Sequence, residues 1–152
     1  MVQPGDCFLV LHQASGIYHL WVVISWPDVY HHMLLVNLTD ANKCNDDSCL
    51  FKVGDHPFIT KLSAVHYAGA RVSSEHVLDE REASGDIKRR EFARPRFLRK
   101  IQEGARISHG LDFEYHYFRD LMTEQPPPVE LVRAVTPRRK VLVKVKRSQA
   151  RS

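Results

Sequence analysis

The sequence lacks any long apolar run, and none of its hydrophobic stretches approaches the roughly 20 residues that a membrane-spanning helix needs. The first residues, MVQPGDCF, contain neither a basic segment nor a long apolar one, so we expect no signal peptide. Cysteine is scarce: three residues without framework spacing predict reduced thiols. These absences argue against membrane and disulfide-stapled classes, and they predict a cytoplasmic protein without membrane contact.

Motifs of metal and nucleotide sites are also missing. Cys44 and Cys49 lack the C-x₂-C spacing of structural zinc, and the chain has no H-E-x-x-H, Walker or Rossmann pattern. The nine histidines are many for this length, but His31 and His32 are adjacent and would point to opposite faces of a strand. We therefore predict no metal and no cofactor, and a zinc site assembled by folding is the open alternative.

Acidic residues are missing from the end of the chain. No acidic residue follows Glu130, whereas eight basic residues do (Arg133, Arg138, Arg139, Lys140, Lys144, Lys146, Arg147 and Arg151). The net charge of the whole chain is only +4, so the residues before this segment are net acidic. A basic tail on an acidic body favours contact with phosphates or an acidic partner. The alternative is a solvated terminus.

Short apolar runs dominate the first half. Residues 20–24 (LWVVI) and 33–36 (MLLV) are separated by a turn-like segment with Pro27-Asp28, which predicts a central hairpin. Further strands are predicted by short apolar or alternating runs at residues 7–11, 49–53 and 60–67, with a second hairpin through 68–71.

The second half has a different composition. Residues 74–90 are charged and predict a short helix or a loop, whereas Pro95 opens an amphipathic helix and another is predicted over 112–122. The predicted fold is therefore α+β, mainly β: a small antiparallel barrel over 1–73, a charged segment over 74–94, two helices packed on the barrel over 95–124, and a Pro-rich linker with a basic tail over 125–152. Residues 140–146 predict an edge strand within that tail.

The first half contains four segments in sequence order: Gly5-Asp6 before an apolar strand, VVIS at 22–25, VNLT at 36–39, and TKLSAVHY at 60–67 followed by Ala70-Arg71. In this order and spacing the chain resembles the PemK/MazF-like toxin family over residues 5–71. The resemblance implies an SH3-like barrel, a homodimer, RNA as the substrate and an antitoxin protein as the partner.

The resemblance also implies the chemistry, which is metal-free cleavage of single-stranded RNA. The 2′-hydroxyl attacks the neighbouring phosphate and leaves a cyclic phosphate and a 5′-hydroxyl. Such a site needs a base, an acid and donors for the charged phosphorane. Thr39 matches the family's hydroxyl after the third strand. His19-Leu20 stands where the family usually has arginine, often followed by proline. Histidine can act as acid or base near pH 7 but cannot replace a permanently charged phosphate clamp.

Two function hypotheses follow. In the first, His19 and Thr39 are catalytic, and the substrate is bound by Lys61, Arg71, His56 and Ser25 in an RNA-cleaving toxin. In the second, the chain is a non-catalytic SH3-like binding module for nucleic acid or protein, anchored by its basic tail. Each residue has a plainer alternative: His19 and Thr39 would end strands at the surface, and His56 would stabilise a turn.

Overall fold

The computed structural model describes residues 1–138, in which the chain forms six strands, three α-helices and two 3₁₀ helices. The strands are β1 (Cys7–His12), β2 (Ile17–Val23), β3 (His32–Asp40), β4 (Leu50–Phe51), β5 (Ser63–Ser74) and β6 (Ile87–Arg90). The α-helices are α1 (Glu75–Ser84), α2 (Pro95–Ile107) and α3 (Val129–Val135), and the 3₁₀ helices are Ala41–Lys43 and Phe113–Leu121. The predicted α+β class, mainly β, is confirmed.

The strands form one antiparallel sheet in the order β4-β5-β3-β2-β1-β6. Within residues 1–138 this sheet is open and does not close into the predicted barrel. Its two edge strands are short, since β4 pairs only through Leu50 and Phe51 and β6 only over Ile87–Arg90. They lie at opposite edges, so no ladder joins them.

The predicted central hairpin is present as β2 and β3, which pair antiparallel with Trp21 opposite Asn37. The buried carboxylate of Asp28 holds the turn between them by accepting hydrogen bonds from the backbone N–H groups of Tyr30 (2.9 Å) and His32 (3.0 Å). Proline and aspartate therefore supply the turn chemistry expected from the sequence.

The predicted second hairpin at residues 68–71 is wrong. Residues 63–74 form one long strand that pairs with β3 on both sides of an irregularity. Leu35 faces Arg71 while Asn37 faces His66, so extra residues of β5 bulge out of the ladder between these two pairs. The small Ala-Gly-Ala sequence suits this bulge, because a Cβ at Gly69 would lie 2.7 Å from His66 Nδ1.

The charged segment 74–94 contains a helix, as one of its two predicted forms, and also a strand that the sequence analysis missed. Ser74 Oγ accepts a hydrogen bond from Val77 N (3.2 Å) and caps α1, which ends at Gly85 in the left-handed region. The sequence IKRR then pairs with β1 as β6. Its three basic residues conceal the strand, since only Ile87 is buried.

Apolar clusters cover both faces of the sheet. α1 covers one face, where Phe8, Leu35 and Leu78 are buried together. On the other face, α2 and the 3₁₀ helix Phe113–Leu121 pack on the alternate residues of β2 and β3. The second predicted helix is therefore a 3₁₀ helix, with Phe118 and Leu121 buried.

The end of the chain is only partly described. α3 occupies part of the segment predicted as a linker, whereas the predicted strand at 140–146 lies outside the described residues. Within residues 1–138, no helix is long and apolar enough to cross a membrane.

Candidate functional site

An open groove of about 620 Å³ lies at the end of the sheet where β2 begins and β3 ends, and we call it the β2–β3 groove. One wall comes from the ends of β1, β2 and β3, and the opposite wall comes from the loop 57–61 and Arg90 of β6. Its polar lining combines two imidazoles, several hydroxyls and four charged groups: His12, His19, Ser15, Thr39, Thr60, Ser63, Asp40, Lys43, Lys61 and Arg90.

His19 and Thr39 both line this groove and are half-buried. The ladder between β2 and β3 ends with Trp21 opposite Asn37. His19 and Thr39 each lie two residues beyond this pair, so strand alternation places them on the same face of the sheet. His19 Nδ1 lies 3.1 Å from the carbonyl oxygen of Leu38. A carbonyl oxygen only accepts hydrogen bonds, so this contact assigns the proton of the neutral ring to Nδ1. The lone pair on His19 Nε2 is then available as a base.

His12 lies beside His19, and their ring centroids are 5.7 Å apart at an interplanar angle of 80°. The backbone N–H of Ser15 donates to His12 Nδ1 (3.3 Å), which assigns the proton of the neutral ring to Nε2. Ser15 Oγ lies 2.8 Å from the same Nδ1 and can accept a hydrogen bond from it when the ring is charged. The two neutral rings therefore differ at Nε2, which carries a lone pair on His19 and a proton on His12.

The lining of the groove also contains cations. Lys61 forms an ion pair with Asp40 at 3.0 Å, and Arg90 pairs with Glu91 at 3.1 Å. The N–H of Asn42 and the ammonium of Lys61 hold the pKa of Asp40 below its usual value. Lys43 also lines the groove. Three basic side chains thus face one carboxylate in the described lining, which favours an anionic ligand.

Three predicted substrate-binding residues lie outside the groove. Ser25 is fully buried, and its hydroxyl accepts a hydrogen bond from Leu34 N (2.9 Å). Arg71 is exposed on β5 opposite Leu35, away from the end of β3 that carries Thr39. His56 is only 4% exposed.

Both nitrogens of His56 are engaged in the turn that carries it. Nδ1 accepts from Phe58 N at 3.1 Å, and Nε2 lies 3.1 Å from the carbonyl oxygen of Glu91. This arrangement matches the plainer interpretation of His56, a residue that stabilises a turn. Of the six predicted site residues, the structure brings together His19, Thr39 and Lys61.

Sequence reasoning missed His12, Ser15, Lys43 and Arg90. The signal for His12 lies in the first hairpin: Val10 pairs with His19, so His12 projects from the same face as both. The predicted strand at residues 7–11 stops one residue before His12, which hid this relation. Arg90 was missed because β6 itself was not predicted, and Lys43 belongs to a short 3₁₀ helix between the predicted strands.

The cysteines take no part in the groove. All three are free thiols, and burial raises the pKa of Cys7 to about 12 and that of Cys49 to about 11. Buried thiols of this kind are poor nucleophiles. In the part of the chain that the structure describes, no three His, Cys, Asp or Glu side chains are placed to hold a metal ion together.

No protein-family model, no curated protein and no solved structure matches this chain.

Proposed function

We propose that the chain is an endoribonuclease that cleaves single-stranded RNA in the β2–β3 groove, with no need for a metal ion. The observation that supports this most strongly is the pair of adjacent imidazoles, His12 and His19, whose hydrogen bonds leave complementary states on their Nε2 atoms. Phosphoryl transfer from a 2′-hydroxyl requires one group to take a proton and another to give one. Histidine suits either role near neutral pH, because its charge changes between pH 5 and 8.

In the proposed reaction, His19 Nε2 accepts the proton of the 2′-hydroxyl while that oxygen forms a bond to phosphorus. The bond from phosphorus to the 5′-oxygen breaks, and the protonated ring of His12 gives its Nε2 proton to the departing oxygen. The products are a 2′,3′-cyclic phosphate and a 5′-hydroxyl. Two such positioned groups typically contribute about 10²–10⁴-fold each.

The phosphorane formed in this step carries extra negative charge on its oxygens. Lys61 and Lys43 supply positive charge in the same groove, and the hydroxyl of Thr39 supplies a donor on the face that carries His19. In this proposal these groups replace the arginine that the resembled family uses at the position of His19. Because these groups already lie in the groove before RNA reacts, they can stabilise the negative charge of the phosphorane without moving.

The relation to PemK/MazF-like toxins remains part of this proposal, together with its homodimer and antitoxin. It is supported by the order of the four sequence segments and by the meeting of His19 and Thr39 in one groove. An antitoxin would neutralise such a protein by occupying the groove or by holding it closed to RNA.

The direct test is incubation of the purified protein with single-stranded RNA in EDTA, followed by chemical analysis of the new ends. Cyclic phosphate and 5′-hydroxyl ends are expected. His12→Ala and His19→Ala should each reduce the rate by at least about 100-fold. His19→Asn is the conservative variant, because its amide can still donate to Leu38 O but has no basic nitrogen.

His76→Ala is the matched control, since His76 is exposed on α1 and pairs with Glu80 rather than lining the groove. It should leave the rate unchanged. Equal activity of the wild type and both groove variants would contradict the proposed site. RNA that is bound in a salt-sensitive manner yet left intact, with or without EDTA, would instead support the non-catalytic binding module.

A further inference from the structure

A second basic surface lies on the far side of the loop that closes the β2–β3 groove. It surrounds a cavity of about 700 Å³ between β4 and the first turns of α2, and we call it the α2 site. Its charged lining consists of Lys52, Arg94, Arg96, Lys100 and Asp55. Four basic residues thus face one carboxylate in the described part of this lining, an excess of the sign that phosphates require.

The four basic side chains of the α2 site differ in the contacts they make. Lys100 Nζ donates to the carbonyl oxygen of Leu50 at 2.5 Å and lies 4.8 Å from the centroid of the Phe51 ring, which fixes it at the base of the cavity. Within residues 1–138, the structure shows no ion pair for Lys52, Arg94 or Arg96. These three exposed cations are available to an anion without first losing an acidic partner.

A third cavity of about 600 Å³ lies next to both the α2 site and the β2–β3 groove. It shares Pro57 and Thr60 with the groove and Gly54 and Arg94 with the α2 site, and its charged lining consists of Arg94, Asp55 and Glu91. The connecting loop is held in place by buried His56, whose Nδ1 accepts a hydrogen bond from Phe58 N and whose Nε2 lies 3.1 Å from the carbonyl oxygen of Glu91. The three cavities are neighbours that share lining residues, and we take them as the path between the two sites.

An aromatic ring lies along this path. Phe92 lines the third cavity and is 48% exposed, which is high for a residue of its type. Single-stranded nucleic acids bind to surfaces that combine basic side chains along the backbone with aromatic rings on which bases stack. A duplex has no unstacked base to offer, so this combination favours a single strand.

We infer that the α2 site binds the sugar-phosphate backbone of the single strand that is cut in the β2–β3 groove, with Phe92 stacking one base between the two. This inference rests on the proposed function for the identity of the strand. It adds a substrate requirement: the RNA must extend past the scissile phosphate along the loop 53–60 to gain the additional affinity.

The test compares two oligonucleotides of 4 and 16 nucleotides, made with DNA so that no 2′-hydroxyl can react. Binding is measured by fluorescence anisotropy at several salt concentrations. The variant is Arg94→Gln with Arg96→Gln, which lowers the net charge by two. Both side chains are exposed and form no ion pair within residues 1–138, so α2 should remain folded. The matched control is Arg99→Glu, which also lowers the net charge by two on α2 but lines a different cavity, beside Trp26, that shares only Phe92 with the cavities of the path.

We expect the double variant to bind the 16-mer roughly tenfold more weakly and to lower the slope of log K against log salt by about 1.4, the value for two phosphate contacts on a single strand. Its affinity for the 4-mer and its rate on a short RNA should not change. Arg99→Glu should alter 16-mer binding less than about twofold. Phe92→Ala should weaken the 16-mer without changing the salt slope, because stacking releases no counterions.

Equal losses from the double variant and from Arg99→Glu would overturn the inference, because they would report the net charge alone. Unchanged 16-mer binding, or an equal loss for the 4-mer, would also overturn it. Since binding is measured on DNA, a wild-type protein that binds the 16-mer in this way but cuts no RNA would refute the proposed function and leave the α2 site supported.

Discussion

Gly104 allows α2 to pack directly against β5, and its replacement tests how this close contact contributes to stability. Tyr67 is fully buried on β5, and its hydroxyl donates a 2.6 Å hydrogen bond to the carbonyl oxygen of Ile101 in α2. A Cβ at position 104 would overlap that hydroxyl and would lie 2.9 Å from Cys49 Cβ. Gly104 therefore weakens the helix locally while permitting the contact that holds it.

The expected effect of Gly104→Ala is a loss of roughly 2 kcal/mol in the free energy of unfolding. Alanine gains about 1 kcal/mol of helix propensity. Overpacking costs about 1–3 kcal/mol, and displacing the Tyr67 hydroxyl from Ile101 costs about 1 kcal/mol more. The net sign is opposite to that expected from an exposed glycine in a helix.

Urea unfolding followed by circular dichroism measures this effect, and a double-mutant cycle with Tyr67→Phe identifies its cause. Removing the hydroxyl makes room for the new methyl group, so the double variant should be more stable than the sum of the single effects by about 1 kcal/mol or more. Additive effects, or a Gly104→Ala protein more stable than the wild type, would refute this account of the packing.

Two further predictions concern titratable groups. Burial raises the pKa of Asp46, but hydrogen bonds from Ser108 and Ser48 together lower it below its usual value. The stabilisation by ionised Asp46 is present above pH 3.8 and is lost as the pH falls through the lowered pKa of the folded protein. In Asp46→Asn, the urea concentration at the unfolding midpoint should therefore decrease less as the pH is lowered. The same decrease in the variant and the wild type would contradict this. At pH 8, iodoacetamide should label Cys44 before Cys7 and Cys49, whose pKa values burial raises; equal labelling in peptide mapping would contradict the fold.

Elements of the fold whose signals lie within a few neighbouring residues could be predicted from the sequence. The central hairpin was predicted because two apolar runs flank Pro27-Asp28, and α2 was predicted because Pro95 precedes an amphipathic repeat. Both signals act within a few residues. The bulge of β5 was not predictable in this way, because it depends on the register that Leu35 and Asn37 impose from another strand.

The predictions for the site residues show the same difference between local signals and signals that depend on another strand. His19 and Thr39 were predicted from the resemblance, because they occupy the two matching positions at the ends of the central hairpin. His12 was missed because its position depends on the register between β1 and β2, and Arg90 was missed because it lies on a basic edge strand. Ser25 ends an apolar run, as a site residue at a strand end would, but the packing of β3 buries it.

The most direct test of the central claim uses RNA in which sulfur replaces the 5′-oxygen at the cleaved bond. A thiolate departs without receiving a proton, so the acid is no longer required while the base still is. If His12 is the acid and His19 the base, His12→Ala should cut this substrate nearly as fast as the wild type does, whereas His19→Ala should remain slow. Failure of the sulfur to rescue His12→Ala, or equal rescue of both variants, would contradict the assignment.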